Sequence, residues 1–265
     1  MPWFEVGSSR IYYEETGAGN GVALLLPGLT DSIAAHAALR QALAESGMHV
    51  VAADLPGSGR SQPQPRVYSA NYFEEDASSF ALFLTHLSAG PAHLIGFSDG
   101  GEVALLMAEL FPAAVRSVVT WGSAGQLHDP GGSLRQTFFD VIDDPIPPLQ
   151  QFRQQLITAY GEETARAMTQ NAVRAMTEII EARGGDLSLS RADSIGCPVL
   201  VLAGRHDPFA PPDLVEELAG RIPNARMIEV ADGGHDLHHT HTGWLTTTVI
   251  EWLAEVQRDL SPSKA

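Results

Sequence analysis

The stretch that decides the fold runs from residue 92 to residue 101 and reads AHLIGFSDGG. Its first four residues, Ala92–Ile95, form a short apolar run typical of a buried strand, and a helical pattern follows over Glu102–Phe111. Between them lies a G-x-S-x-G motif over residues 96–100, in the strand, turn and helix context that the motif requires. Such a sharp turn strains the serine backbone and projects its hydroxyl above the edge of the sheet. We therefore predict that Ser98 is a nucleophile.

A serine hydroxyl is a poor nucleophile near neutral pH and needs a general base that a third group orients. Asp207 follows the apolar run Val199–Ala203, and His235 follows Met227–Val230. Both lie at carboxyl ends of predicted strands, the same sheet edge as Ser98, in the chain order Ser, Asp, His. We predict that these three residues form a catalytic triad. Taken singly, they have plainer interpretations as a helix cap, a turn aspartate and a loop histidine.

Acyl transfer to a serine also needs two backbone N–H groups that stabilise the oxyanion. One is expected from the residue after the nucleophile, Asp99. The other is expected from the loop after an early strand, which the segment Leu24–Pro27 and its following residues supply. We assign the second donor to the Leu29 N–H, because Gly28 lets bare backbone approach a substrate.

Apolar runs rich in β-branched residues alternate with helical patterns along most of the chain. The predicted strands are Val22–Leu26, Val50–Ala53, His93–Gly96, Val115–Thr120, Val199–Ala203 and Met227–Val230. The predicted helices between them are Ile33–Glu45, Tyr72–Leu87, Glu102–Phe111, Pro212–Ala219 and Thr240–Val256. Trp3–Val6 and Arg10–Glu15 are predicted to form an antiparallel hairpin at the sheet edge. Together they predict an α/β fold with a mostly parallel eight-stranded sheet and helices on both faces.

The alternation stops over residues 124–195. Prolines and paired glycines occur there, with helical patterns at Leu149–Tyr160 and Glu162–Ala182 and no strand signal. We interpret residues 124–195 as a helical cap inserted between two strands. Residues 1–123 and 196–265 then form one catalytic core.

Composition narrows the classes of function. The 265 residues are 44% hydrophobic and carry a formal net charge of −16, with lysines and arginines scattered, which disfavours nucleic-acid binding. No apolar stretch approaches the ~20 residues that span a bilayer, and the N-terminus lacks a secretory signal pattern. The single cysteine, Cys197, excludes an internal disulfide. We expect a cytoplasmic protein that acts on a small-molecule substrate, without a nucleic-acid or membrane partner, and leave the oligomeric state open.

Two other features have competing interpretations. Asp99 in the first turn of a helix is stabilising whatever the function. A carboxylate beside a developing oxyanion also raises the reaction barrier unless a cation offsets it, which favours an amine-bearing substrate. Four histidines at positions 235, 238, 239 and 241 would suggest a metal ion, and a helix could align three of them. No further ligand is specified, and His235 already has a task, so we predict neither a metal nor a cofactor.

At these positions the sequence resembles the α/β-hydrolase superfamily, and more narrowly its valacyclovir hydrolase (biphenyl-hydrolase-like) branch. The segments that carry the resemblance are Pro27–Leu29, Asp54–Ser61, Gly96–Gly101, Trp121–Gly122 and Gly234–His238. Members of that branch hydrolyse α-amino acid esters, and the resemblance implies that Asp99 holds the substrate ammonium. Phe97 stands where the branch tends to have tryptophan, and the insertion matches the branch poorly.

We therefore expect a serine hydrolase that cleaves a small-molecule carboxylic ester through an acyl-enzyme, with an α-amino acid ester as a candidate substrate. The same triad could instead serve hydrolysis of a lactone, an amide or a C–C bond, or cofactor-free perhydrolysis, because this fold hosts many reactions. A non-catalytic ligand receptor is the alternative from another class. The complete set of Ser98, Asp207 and His235 disfavours it.

Overall fold

Eight strands form one sheet in a computed structural model of the chain, which describes residues 2–19 and 21–259. The strands are β1 Trp3–Val6, β2 Ser9–Thr16, β3 Gly21–Leu26, β4 Met48–Ala53, β5 Ala92–Phe97, β6 Val115–Trp121, β7 Val199–Gly204 and β8 Ala225–Val230. Their order across the sheet is β1-β2-β4-β3-β5-β6-β7-β8. β2 runs antiparallel to β1 and β4, and the remaining pairs are parallel. The predicted fold class and the N-terminal hairpin are confirmed.

Helices cover both faces of the sheet. They are α1 Ala37–Glu45, α2 Tyr72–His86, α3 Asp99–Leu110, α4 Ser133–Phe139, α5 Gln150–Tyr160, α6 Glu162–Arg183, α7 Pro212–Arg221, α8 Leu237–Thr240 and α9 Thr242–Asp259. Helices α2, α3 and α7 share one apolar cluster with alternate strand residues such as Leu24. Helices α1 and α9 share a second cluster with the intervening residues, such as Leu25. The strands read as continuous apolar runs because both of their faces are buried.

The described part of the chain between β6 and β7 is helical, and we call residues 124–195 the helical insertion. Helix α5 packs in a small apolar cluster around Val141 and Leu156, to which α6 adds Ala165. Further along the chain, α6 contributes Ala172 and Ile179 to the main core. Helix α4 was not predicted, because it is only seven residues long and follows the Pro-Gly-Gly segment at 130–132. The division into a core and a cap stays a prediction.

Two predicted helices differ in detail from the structure. The segment predicted as Ile33–Glu45 begins with a 3₁₀ turn over Ile33–His36 before α1. The segment predicted as Thr240–Val256 is divided at His241 into α8 and α9. Both breaks lie beside the loops at the carboxyl ends of strands, where tertiary contacts override local periodicity. None of the described helices is long and apolar enough to cross a bilayer, and the cytoplasmic location stays a prediction.

Candidate active site

Ser98 lies at the turn between β5 and α3 in a strained backbone conformation, with φ 52° and ψ −120°. Conformations of this kind cost on the order of 1–3 kcal/mol for a non-glycine residue and persist only where the surroundings enforce them. Here the Ser98 N–H donates to the Trp121 carbonyl at 2.9 Å, and the Ser123 hydroxyl donates to the Ser98 carbonyl at 2.9 Å. The adjacent strand β6 and the loop after it therefore hold the serine in place.

Two glycines beside the serine are required by close backbone contacts. A side chain at Gly96 would overlap the Gly100 carbonyl, and one at Gly100 would overlap the carbonyls of Leu26 and Pro27. The N-terminus of α3 thus packs directly on the loop after β3. This contact is why the motif needs small residues at both positions.

His235 and Asp207 reach Ser98 from the ends of β8 and β7. His235 Nε2 lies 3.1 Å from the Ser98 Oγ, which can donate its proton to that nitrogen. On the other side of the ring, the Nδ1–H donates to Asp207, at 3.0 Å and 2.9 Å from the two carboxylate oxygens. The structure brings the three predicted residues into one hydrogen-bonded line.

The position of Asp207 is fixed by the turn that follows it. Its Oδ1 accepts the backbone N–H groups of Phe209 and Ala210, at 2.9 Å and 3.1 Å. The Phe97 and Phe209 rings each lie 4.9 Å from the His235 ring, measured between centroids. The histidine is thereby confined between two aromatic side chains, while its two nitrogens face the serine and the carboxylate.

The two predicted oxyanion donors border the serine. Asp99 is the first residue of α3, where a helix leaves its N–H without an acceptor in the helix. The Leu29 N–H donates to no other residue within 2–19 and 21–259. A Cβ at Gly28 would lie 3.2 Å from the Ser98 Cβ, which places this loop against the nucleophile. The arrangement can present two backbone N–H groups to an oxygen bound beside Ser98.

The Asp99 side chain is buried, with 7% of its surface exposed. The Tyr72 hydroxyl donates to its Oδ2 at 3.1 Å. No lysine, arginine or histidine of the described chain pairs with it within 4.0 Å. Burial raises the pKa of the Asp99 carboxyl to about 7, against the smaller lowering effect of the Tyr72 hydrogen bond. A carboxylate here is therefore short of a countercharge.

Asp129 is the first acidic residue after β6, and its contacts assign it a different role from that of Asp207. Its carboxylate accepts the N–H groups of Leu134 and Arg135, at 3.0 Å and 2.9 Å, and also pairs with the Arg135 side chain at 2.8 Å. These contacts lower the pKa of Asp129 and outweigh its burial, which alone would raise it. The Asp129 carboxylate therefore stabilises the first turn of α4.

His238, one of the four clustered histidines, lies close to two other potential metal ligands, His36 and Asp31. His238 and His36 stack at 4.4 Å, and the atoms they offer lie within 4.8 Å of one another and of Asp31. The His36 Nε2 lies 2.8 Å from the Asp31 carboxylate. However, the Trp121 indole N–H approaches His238 Nδ1 at 3.4 Å, which favours the tautomer with a proton on Nε2. A metal-bound histidine instead keeps its second nitrogen protonated as a donor, so this group is poorly prepared for a metal.

A strained serine at a strand–helix turn, followed by an acid and a histidine at the ends of later parallel strands, is the arrangement of a serine hydrolase on an α/β sheet. Comparison with known proteins agrees with that class. Residues 22–242 match the family of the alpha/beta hydrolase fold, and the chain belongs to this family of enzymes.

Similar proteins within the family carry out different reactions. The chain is 26% identical to serine hydrolase BPHL of Homo sapiens over 234 residues, which cover 88% of this chain and 79% of that protein. It is 28% identical to the 2-hydroxy-6-oxononadienedioate/2-hydroxy-6-oxononatrienedioate hydrolase of Burkholderia vietnamiensis, over 92% of this chain and 91% of that protein. The solved enol-lactonase of Burkholderia xenovorans LB400 has the same fold, with a TM-score of 0.76, 22% identity and coverage of 96% and 100%. The resemblance inferred from the sequence is confirmed.

Sequence reasoning missed the residues that surround the predicted ones. Tyr72, which donates to Asp99, was assigned only to a helix. The group of Asp31, His36 and His238 combines the loop after β3 with α8, and no local pattern links them. Contacts between segments so far apart depend on the assembled sheet.

Proposed function

We propose that the protein is a serine hydrolase that cleaves small-molecule carboxylic esters through an acyl-enzyme. Ser98 is the nucleophile, His235 the general base and Asp207 the acid that orients the base. The observation that carries the proposal is the unbroken line of hydrogen bonds from Ser98 Oγ through the imidazole to Asp207. The name of the relative BPHL, a serine hydrolase, supports the same chemistry.

The reaction proceeds in two halves. Ser98 Oγ attacks the ester carbonyl while His235 Nε2 accepts its proton, and Asp207 stabilises the imidazolium. The N–H groups of Leu29 and Asp99 donate to the oxyanion of the tetrahedral intermediate. His235 then returns the proton to the departing alcohol as the ester C–O bond breaks. In the second half His235 removes a proton from water, the hydroxide attacks the acyl carbon, and the acid leaves with Ser98 protonated again.

The substrate class follows from Asp99. An ionised carboxylate next to the reacting carbonyl would oppose the oxyanion, and no lysine, arginine or histidine of the described chain forms an ion pair with it within 4.0 Å. A substrate ammonium group in the α position would lie close to this carboxylate. Unit charges ~4 Å apart attract by roughly 4 kcal/mol at an effective dielectric of 20, and desolvation removes much of that. We therefore propose α-amino acid esters as preferred substrates, by about one to two decades in kcat/KM.

We propose that the helical insertion is a cap over the carboxyl ends of the parallel strands, where Ser98, Asp207 and His235 lie. Residues 1–123 and 196–265 form the catalytic core below it. A contact between the insertion and the loop that carries Leu29 supports this division, since the Tyr160 hydroxyl of α5 donates to the Thr30 carbonyl.

The reaction class is tested with Ser98→Ala. We expect turnover of simple esters to fall by ~10³-fold or more, with an unchanged melting temperature, and labelling by a fluorophosphonate to disappear. A folded variant that keeps a tenth of the wild-type rate would exclude Ser98 as nucleophile. Lactones, amides, a C–C hydrolase substrate and a perhydrolysis assay belong in the same screen, since faster turnover of one of these would replace the ester assignment.

The substrate class is tested with ethyl alaninate and ethyl propanoate, which differ by the amine alone. Each enzymatic rate is divided by the spontaneous rate, because an α-amino group also activates its own ester. The assay is run between about pH 7 and pH 7.7, where the Asp99 carboxyl, with a pKa of about 7, is at least half ionised and the α-amino group is at least half protonated. We expect a preference of ~10–100-fold for the amino ester, and a smaller preference in Asp99→Asn.

Glu102→Gln, which removes another buried carboxylate of α3, is the matched control and should leave the ratio of the two rates unchanged. Equal normalised rates in the wild type would leave a general carboxylesterase.

A further inference from the structure

A hydroxyl group of the helical insertion contacts two loops of the core near the nucleophile. Tyr160 is the last residue of α5, and its hydroxyl donates to the Thr30 carbonyl at 2.9 Å. The same oxygen accepts the Gly59 N–H at 2.7 Å. One phenol thus bridges the loop after β3 and the loop after β4, from a helix 130 residues beyond Thr30 in the chain.

The loop that Tyr160 contacts is strained at Thr30. The Asp31 N–H donates to the Gly28 carbonyl at 3.2 Å, which closes a four-residue turn with Leu29 and Thr30 at its centre. Thr30 has φ 61°. A positive φ at the third residue of such a turn favours glycine and is unfavourable for a β-branched residue. The turn therefore needs outside contacts to keep this shape.

Those contacts come from two sides. From the core, the buried Ser58 hydroxyl accepts the Thr30 N–H at 3.0 Å. From the insertion, Tyr160 donates to the Thr30 carbonyl. The two bonds fix the peptide groups on either side of Thr30. The peptide after Thr30 also carries the Asp31 N–H, which donates to the Gly28 carbonyl, and that carbonyl shares its peptide group with the Leu29 N–H. The direction of the Leu29 N–H therefore depends on the conformation of Thr30, which the two bonds hold.

We propose that Tyr160 is a positioning residue that sets the oxyanion hole, so that correct seating of the helical insertion and stabilisation of the transition state depend on each other. The proposal rests on the acyl transfer proposed above, in which the Leu29 N–H donates to the oxyanion. Tyr160 itself touches neither the substrate nor Ser98 in this mechanism and acts through Thr30.

The test is Tyr160→Phe, which removes one oxygen atom and keeps the ring in its apolar cluster in the insertion. We expect kcat for a simple ester to fall by about 10–100-fold with KM within about twofold, because the oxyanion contact is made only in the transition state. A trifluoromethyl ketone forms a hemiketal with Ser98 whose former carbonyl oxygen occupies the oxyanion hole, and its affinity should fall by the same factor. The control is Tyr13→Phe on β2, which removes a hydroxyl from another buried tyrosine and should leave both values unchanged.

A second variant, Ser58→Ala, removes the acceptor of the Thr30 N–H from the core side. It should show the same loss in kcat and in ketone affinity at constant KM, and it decides the question if Tyr160→Phe does not fold. Wild-type kcat and ketone affinity in folded Tyr160→Phe, or a rise in KM alone, overturns the inference. So does an unaffected Ser58→Ala. Absence of turnover and of fluorophosphonate labelling in the wild type would instead overturn the proposed function, which keeps the two failures distinct.

Discussion

Replacing Glu102 with glutamine should make the protein more stable at alkaline pH, and the size of the effect can be worked out from the structure. Glu102 lies in α3 with 5% of its surface exposed. Its Oε1 accepts the N–H groups of Ala124 and Gly125, at 2.9 Å and 3.0 Å, while its Oε2 has no partner among the described residues. Burial raises the pKa of this carboxyl from 4.5 to about 8, despite the two backbone hydrogen bonds.

A carboxyl whose pKa is raised by folding binds its proton more tightly in the folded chain than in the unfolded chain. The stabilisation that the protonated Glu102 carboxyl gives to the folded state is therefore fully present below pH 4.5. It is lost as the pH rises towards about 8. One pH unit within this window corresponds to about 1.4 kcal/mol. Between about pH 5.5 and pH 9 the wild type should lose roughly 3 kcal/mol through this group, a loss that Glu102→Gln avoids because the amide oxygen can accept the same two N–H groups.

The assay is urea unfolding of wild type and Glu102→Gln at about pH 5.5, 7 and 9, followed by tryptophan fluorescence, to which the buried Trp121 and Trp252 contribute. The difference in unfolding free energy between the two proteins should shift by ~3 kcal/mol in favour of the variant as the pH rises. Glu255→Gln is the matched control. The hydrogen bond from Arg226 lowers the pKa of Glu255, so this exposed group titrates below the tested range and its difference should stay constant. A pH-independent difference for Glu102→Gln would refute the reasoning.

Three other outcomes are expected. Asp207→Asn should lower kcat by ~10³–10⁴-fold, because an amide at this position favours the wrong imidazole tautomer of His235. Asp129→Asn should change kcat little, and the reverse pattern in steady-state assays would reassign the acid. Dialysis against a chelator should leave ester turnover unchanged, whereas inhibition reversed by added zinc would establish a metal role for the group of Asp31, His36 and His238. Asp76→Ala should cost about 3–5 kcal/mol in urea unfolding, since it leaves Arg66 buried without its bidentate partner at 2.7 Å and 2.8 Å. A wild-type midpoint would show that water compensates the arginine.

The sequence was most informative where a local pattern and its context agree. The apolar run before Ser98 and the helix after it are both local, and the strand ends before Asp207 and His235 can be recognised in the same way. The parallel sheet followed from strands that are apolar on both faces. These features depend on neighbours within about ten residues, so the pattern alone could indicate them.

The rest depends on contacts between distant segments. Thr30 has no glycine-like sequence signal for its positive φ, and the tyrosine that contacts it lies in another part of the chain. Helix α4 is short and lacks a strong periodic pattern. Burial in the assembled fold raises the pKa of Asp99, and the amino-acid sequence alone does not indicate that burial.

The uneven packing of the helical insertion bears on how substrate enters and product leaves. Helix α6 contributes side chains to the main core, whereas no described residue of α4 or α5 belongs to that cluster. Segments with fewer shared apolar contacts open at lower free energy than the global unfolding reaction. Amide protons of α4 and α5 should therefore exchange with solvent faster than those of α6. We expect local opening of α4 and α5, without detachment of α6 from the core, to limit the rate at which substrate enters and product leaves.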